Sequence, residues 1–164
     1  MSEQKLCENL LSLSKGVDAC LDSKLIGPAL ILIYSAIDTA GWLDSDDQFA
    51  TRDSFISWTT RYLLSTHALY CTAIDLYAAR CGLLHTFTPN SKLSCDKKAR
   101  RICYAWGNSR GEDLQRTIDL AKTGNEYLAA KVEKLFAAWR DSVLAFTEEL
   151  NADIVRTLDR KSVV

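Results

Sequence analysis

The chain has 164 residues, of which 48% are hydrophobic and 25% are charged, and its formal net charge is −1. This length and balance are typical of one globular domain, spanning residues 1–164, and exclude a low-complexity chain. The net charge also excludes nucleic-acid binding through overall charge, so any such contact must depend on a local basic patch.

The cysteines and the N-terminus predict a cytoplasmic protein. None of the six cysteines forms a C-x-x-C pair, so free thiols in a reducing compartment are the simplest interpretation, with an oxidised secreted protein as the alternative. The start, MSEQKLCENLL, lacks the basic and apolar regions of a signal peptide. The longest apolar stretch, residues 28–43, is shorter than the ~20 residues of a membrane span, so no membrane contact is predicted.

The first half of the chain predicts helices. An apolar stripe with helical spacing predicts a helix over residues 3–22, and Pro28 suits the first turn of a second, buried helix; the stripe comprises Leu6, Leu10, Leu13, Val17 and Leu21. Residues 42–54 are polar and predict a loop, with Asp53 or Ser54 as the cap of the third helix. A fourth helix is predicted to start at Ser65 or Thr66 and to reach about residue 84.

The second half is less regular. Residues 86–95 contain Pro89 and Asn90 and predict a loop, while residues 100–107 are compatible with a strand, half of a hairpin or a helical turn. Thr123 and Glu126 have capping-box spacing and predict a last helix that reaches about Arg160. The predicted fold is an all-α, up-and-down bundle of about five helices, with a small β-hairpin before the last helix as an option.

The strongest candidate for a reactive site is the motif A-A-R-C-G-L-L-H-T, residues 78–86. In this motif four residues lie between Arg80 and His85. Imidazole titrates near neutral pH and can transfer protons, while guanidinium stays charged and grips phosphate. These are the groups that metal-independent RNA cleavage requires. On one straight helix, however, five positions leave the two residues about 140° apart. We therefore expect either a helix break, which Gly82 would make easy, or a partner residue from a second subunit.

This motif, in a helical chain of this size, resembles the R-x(4–6)-H signature of the HEPN superfamily. The resemblance implies a homodimer whose motif helices meet on a two-fold axis, and endoribonuclease activity on single-stranded RNA that leaves a 2′,3′-cyclic phosphate. By the same resemblance Arg80 would organise the scissile phosphate and His85 would transfer protons. Many members are toxins or defence components, so an antitoxin protein is an implied partner.

One departure from the family pattern favours an alternative function. Active members often carry Asn, Asp or His directly after the arginine, and this chain carries Cys81. The alternative is a non-catalytic HEPN-like module that binds RNA, a nucleotide or a protein partner. A purely structural helical protein, in which Arg80 caps a helix end and His85 lies in a loop, is the third interpretation.

Two acids are candidate helpers of the motif. Asp38 is the lone charge within the apolar stretch 28–43, and a buried carboxylate is costly without a partner. We expect it either to orient Arg80 or His85, which the resemblance also suggests, or to make a purely structural hydrogen bond. Asp75 is a weaker candidate, because its five-residue offset from Arg80 suits an intrahelical pair poorly.

A basic run precedes two aromatic residues, Tyr104 and Trp106, and is a candidate RNA-binding segment; it comprises Lys97, Lys98, Arg100 and Arg101. Cations for phosphates and rings for base stacking suit single-stranded RNA. A solvated basic loop followed by core aromatics is the alternative.

Metal and thiol chemistry are not favoured. The pairs Cys81/His85 and His67/Cys71 each have a four-residue spacing, but neither has evident further ligands for a metal. Cys81 lies near the predicted end of a helix rather than at the N-terminus, where thiolate is stabilised. The sequence therefore predicts no metal and no cofactor.

Overall fold

The computed structural model describes residues 3–152, and its elements are mostly helical. The long helices are α1 (Glu3–Asp22), α2 (Ile26–Asp44), α5 (Ala73–Thr86) and α8 (Val132–Ala152). Shorter elements lie between them: α3 (Arg52–Trp58), a π-helical turn (Thr59–Leu63), α4 (Leu64–Thr66), α6 (Lys92–Cys95), β1 (Arg101–Ala105), α7 (Gly111–Leu120) and β2 (Tyr127–Lys131). The predicted end of the last helix, near Arg160, falls outside the described residues.

Helix α2 is the central element, as its apolar composition predicts. Its length and hydropathy would suit a membrane span, but half of its most apolar window is buried inside the protein. It packs against α1, α3, α5 and α8, and Pro28 lies in its first turn. Burial on several sides explains why its apolar residues do not follow a single stripe.

The capping residues of α3 and α5 correct two sequence predictions. Thr51, rather than Asp53 or Ser54, caps α3, and Ser54 completes a capping box as its third residue. The chain then stays helical through the π-helical turn to Thr66, so no helix begins at Ser65 or Thr66. The next long helix, α5, begins after Thr72, whose hydroxyl accepts a hydrogen bond from the Asp75 N–H.

The two strands form a parallel pair, so the hairpin prediction is wrong. Arg101 is in register with Tyr127 and Ala105 with Lys131, and α7 makes the crossover that parallel strands require. The Thr123–Glu126 capping-box prediction is also wrong, because residues 127–131 continue as β2 and α8 begins at Val132. The coarser prediction of a mainly helical bundle is confirmed.

Candidate functional site

The Arg80 guanidinium and the Asp38 carboxylate form a close ion pair between α5 and α2. Arg80 Nε donates to Asp38 Oδ2 at 2.7 Å, and Arg80 Nη2 lies 2.7 Å from the same oxygen. The two side chains are 22% and 17% exposed, respectively. The lone acid of the apolar helix therefore contacts the motif arginine, as one of the two sequence interpretations predicts.

His85 is solvent-exposed and lies beside this ion pair. Its Nε2 is 3.5 Å from Arg80 Nη1, although both residues belong to the same uninterrupted helix α5. The expectation that a straight helix would keep the two groups apart is wrong, because the long arginine side chain spans the angular offset. The cation and the imidazole thus meet within one protomer.

Gly82 serves close packing rather than a helix break. A Cβ atom at this position would lie 2.5 Å from the Thr88 carbonyl oxygen and 2.9 Å from that of Asn90. The helix ends later, at Thr86, and its C-cap residue Phe87 adopts the left-handed conformation with φ of 56°. Glycine therefore lets residues 88–90 fold back against α5 directly behind His85.

Burial and the charge of the partner shift the pKa of Arg80, and likewise that of Asp38, in opposite directions. Burial raises the pKa of the Asp38 carboxyl above 3.8, and the hydrogen bond and charge of Arg80 oppose this shift. Burial lowers the pKa of Arg80, but the hydrogen bond and charge of Asp38 outweigh it and leave the arginine pKa raised. Arg80 is therefore a permanent cation whose orientation Asp38 fixes.

Arg52 and Tyr77 belong to the same surface and were not predicted from the sequence. The guanidinium carbon of Arg52 lies 5.8 Å from the centre of the Tyr77 ring, and that of Arg80 lies 6.0 Å from it. Arg52 is exposed, whereas the charge of Arg80 is matched by Asp38. The three-residue spacing from Tyr77 to Arg80 gives a weak sequence signal for one contact, but nothing local links Arg52 to either residue.

Cys81 lies at the edge of the site. Its Sγ is 4.0 Å from Arg80 Nη1, and the thiol is half-buried. Burial raises the pKa of the Tyr77 hydroxyl, and its contact with Cys81 adds to that shift. Cys81, the residue after the motif arginine, therefore contacts Arg80, so the side chain at position 81 affects the surroundings of the guanidinium group.

Asp75 pairs with Arg100 instead of Arg80. Its Oδ1 accepts from the Arg100 backbone N–H at 2.7 Å, and its Oδ2 accepts from Arg100 Nη2 at 2.6 Å. Burial on its own raises the pKa of Asp75, but hydrogen bonds from Arg100 and Thr72 outweigh it and hold the pKa below 3.8. This pair fixes the start of α5 to the residue that precedes β1.

Two of the four side chains in the basic run form intramolecular contacts of this kind. Arg100 holds Asp75, and Arg101 donates to Asn90 Oδ1 at 2.8 Å and to Glu126 Oε2 at 3.3 Å. Lys97 contacts Glu126 at 3.2 Å but stays 78% exposed, and Lys98 is exposed as well. Only the two lysines therefore present their charge mainly to solvent.

The remaining candidates from the sequence have no recorded contact with Arg80, Asp38 or His85. The Tyr104 hydroxyl is hydrogen-bonded to that of Tyr34 in the interior, and burial raises the pKa of both groups, whereas Trp106 is 42% exposed. The His67/Cys71 pair does not form a metal site with the other described residues. His67 Nε2 lies 2.8 Å from Asp141 Oδ2, and burial raises the pKa of the Cys71 thiol to about 11. Within residues 3–152, no group of three or more His, Cys, Asp or Glu side chains is placed to hold a metal ion.

Comparisons of the chain with protein-family models, with curated proteins and with solved structures give no match.

Proposed function

We propose that this protein is a metal-independent endoribonuclease of HEPN type that acts as a homodimer on single-stranded RNA. The observation that supports the proposal best is the convergence of Arg80, Asp38 and His85 on one partly exposed surface. The resemblance adds a toxin or defence role with an antitoxin protein as partner, and the cysteine pattern adds a cytoplasmic location.

Each of the three groups has a role in the proposed reaction. His85, in its neutral form, accepts the proton of the ribose 2′-hydroxyl, and the freed oxygen attacks the adjacent phosphorus. The P–O5′ bond breaks, and the 5′-oxygen takes a proton from an imidazolium, leaving a 2′,3′-cyclic phosphate and a 5′-hydroxyl. Arg80 stabilises the charge on the phosphorane, and Asp38 is a positioning residue for Arg80.

The chemistry, as well as the resemblance, favours a homodimer. One imidazole cannot be both base and acid in the same step, and each protomer brings one histidine to this surface. His85 is exposed, and the neighbouring Phe87 is 63% exposed. A two-fold axis beside these residues would supply the second imidazole from the same patch of the partner.

The chain provides its own control for a test of this proposal, because it has two histidines. We expect purified protein to cleave a fluorescent single-stranded RNA in excess EDTA, and His85→Ala to lower the rate by about 100-fold or more. His67→Ala, which removes the contact with Asp141, should cleave like the wild type. A dimer whose activity is unaffected by His85→Ala would overturn the proposal.

The second candidate function is the non-catalytic HEPN-like module. Cys81 favours it, because the thiol contacts Arg80 where active relatives often have a stronger hydrogen-bonding group. Under this alternative, RNA, a nucleotide or a protein partner binds at the Arg80 surface without reaction. Binding of RNA that Arg80→Ala abolishes, with no cyclic phosphate product at any pH, would establish it.

A further inference from the structure

A second polar site lies between the turns that precede the two strands. A pocket of about 620 Å³ opens there, and its walls come from the start of α5, the segment 94–100 and the segment 123–126. Its lining includes Lys97, Lys98, Thr123 and Asn125. None of them belongs to the Arg80 site.

The charges of this pocket favour an anion. Arg100 and Asp75 neutralise each other in a buried pair, so they contribute little net charge to the pocket. Lys97 and Glu126 form a pair in which both partners are exposed, 78% and 41%, and such pairs are weak enough to exchange for another anion. Lys98 adds a second solvent-facing ammonium group.

Thr123 supplies a polar group without a partner. Its Oγ1 is buried and makes no hydrogen bond to the part of the protein that the structure describes. Buried hydroxyl groups are normally hydrogen-bonded, and Thr123 is one of the residues that line the pocket. Lysine ammonium groups together with hydroxyl and amide side chains are the usual partners of nucleic-acid phosphates.

A short series of contacts connects this pocket with the Arg80 site. Residues 88–90 fold against Gly82 behind His85, and Asn90 accepts a hydrogen bond from Arg101. Arg101 in turn contacts Glu126, which lines the pocket. These contacts link the segment that follows His85 to the wall of the pocket.

We infer that this pocket is a phosphate subsite for the RNA strand that is cleaved at Arg80 and His85. The inference rests on the proposed function for the identity of the strand, but the phosphate recognition rests on the pocket alone. Lys97, Lys98, Thr123 and Asn125 bind one backbone phosphate and read no base, because ammonium, hydroxyl and amide contacts to phosphate carry no sequence information.

The first experiment measures the binding of a single-stranded RNA that carries 2′-O-methyl groups and cannot be cleaved. We expect Lys98→Ala to weaken binding and to reduce the slope of log affinity against log salt by about one unit. Thr123→Val, which keeps the side-chain shape, should weaken binding about three- to tenfold. Lys15→Ala, at an exposed position on α1, is the matched control and should leave both quantities unchanged.

The second experiment separates a failure of the subsite from a failure of the ribonuclease proposal. Inorganic phosphate is titrated into the full chain, and backbone amide shifts of Thr123, Gly124 and Asn125 are followed by NMR. Saturable shifts that Lys98→Ala weakens support phosphate recognition even if no RNA is cleaved. RNA cleavage with no phosphate-induced shift at these amides, and with wild-type RNA affinity in Lys98→Ala, would overturn the subsite.

Discussion

At the scale of single residues, the pair formed by the buried Asp75 and Arg100 contributes to the response of the protein to acid. The folded-state pKa of Asp75 lies below its ordinary value of 3.8, so its contribution to stability is complete above that value and is lost as the pH falls through the folded-state pKa. We expect Asp75→Asn to lower the free energy of unfolding by about 3 kcal/mol near neutral pH and to flatten its decline in acid.

Urea unfolding followed by circular dichroism over a series of pH values measures both effects. Asp113→Asn is the matched control, because Asp113 pairs with Arg116 at 2.7 Å but both side chains are more than half exposed. That variant should lose less than about 1 kcal/mol. An Asp75→Asn protein with wild-type stability and the same acid slope would contradict the assignment.

The residues also show which site contacts can be predicted from a sequence. Asp38 stands alone in an apolar helix, and the energetic penalty of an unpaired buried charge predicts a cationic partner. Arg80 is such a partner. Arg52 gives no such signal, because it lies in an exposed first turn and meets Tyr77 only through the packing of α3 against α5. Contacts that depend on tertiary packing alone leave no local pattern.

At the scale of elements, helical periodicity of apolar residues predicts the bounds of a helix well when the helix packs on the core. Helices α1 and α2 follow the expected spans closely. The capping-box spacing of Thr123 and Glu126 predicts that Tyr127–Lys131 belongs to the last helix, but this segment pairs with β1, and that pairing is not a local property of the sequence. β-Structure depends on neighbouring strands more than on intrinsic preference, which explains this error.

Helix α7 lies on the surface of the protein, and this leads to a prediction about its dynamics. None of its residues is buried, and Leu120 is 82% exposed. One specific contact to the strands is a hydrogen bond of 2.8 Å from the Ala129 N–H to Gln115 Oε1. We expect the amide hydrogens of α7 to exchange much faster than those of the buried α2, because local opening exposes little apolar surface. Hydrogen exchange with mass spectrometry tests this, and equal protection of both helices would contradict it.

At the scale of the whole molecule, the proposed mechanism requires that two protomers share one reaction centre. Arg80 and His85 already lie 3.5 Å apart within one chain, so a complete site in each protomer is the competing arrangement. The two arrangements differ in how activity depends on the number of intact protomers in a dimer. Mixing wild-type protein with an inactive but dimerising Arg80→Ala/His85→Ala variant therefore discriminates between them.

We expect an equal mixture, after subunit exchange, to show about one quarter of the activity of the same total amount of wild-type protein, because only dimers with two intact protomers have both imidazoles in a shared two-fold site. Independent sites would instead give about one half under the same conditions. The His67→Ala protein mixed with wild type is the control and should show no loss, and size-exclusion chromatography verifies that the variants dimerise equally. A linear decline with the fraction of variant would place base and acid within one chain, and Arg80 would then act only on the phosphate beside its own histidine.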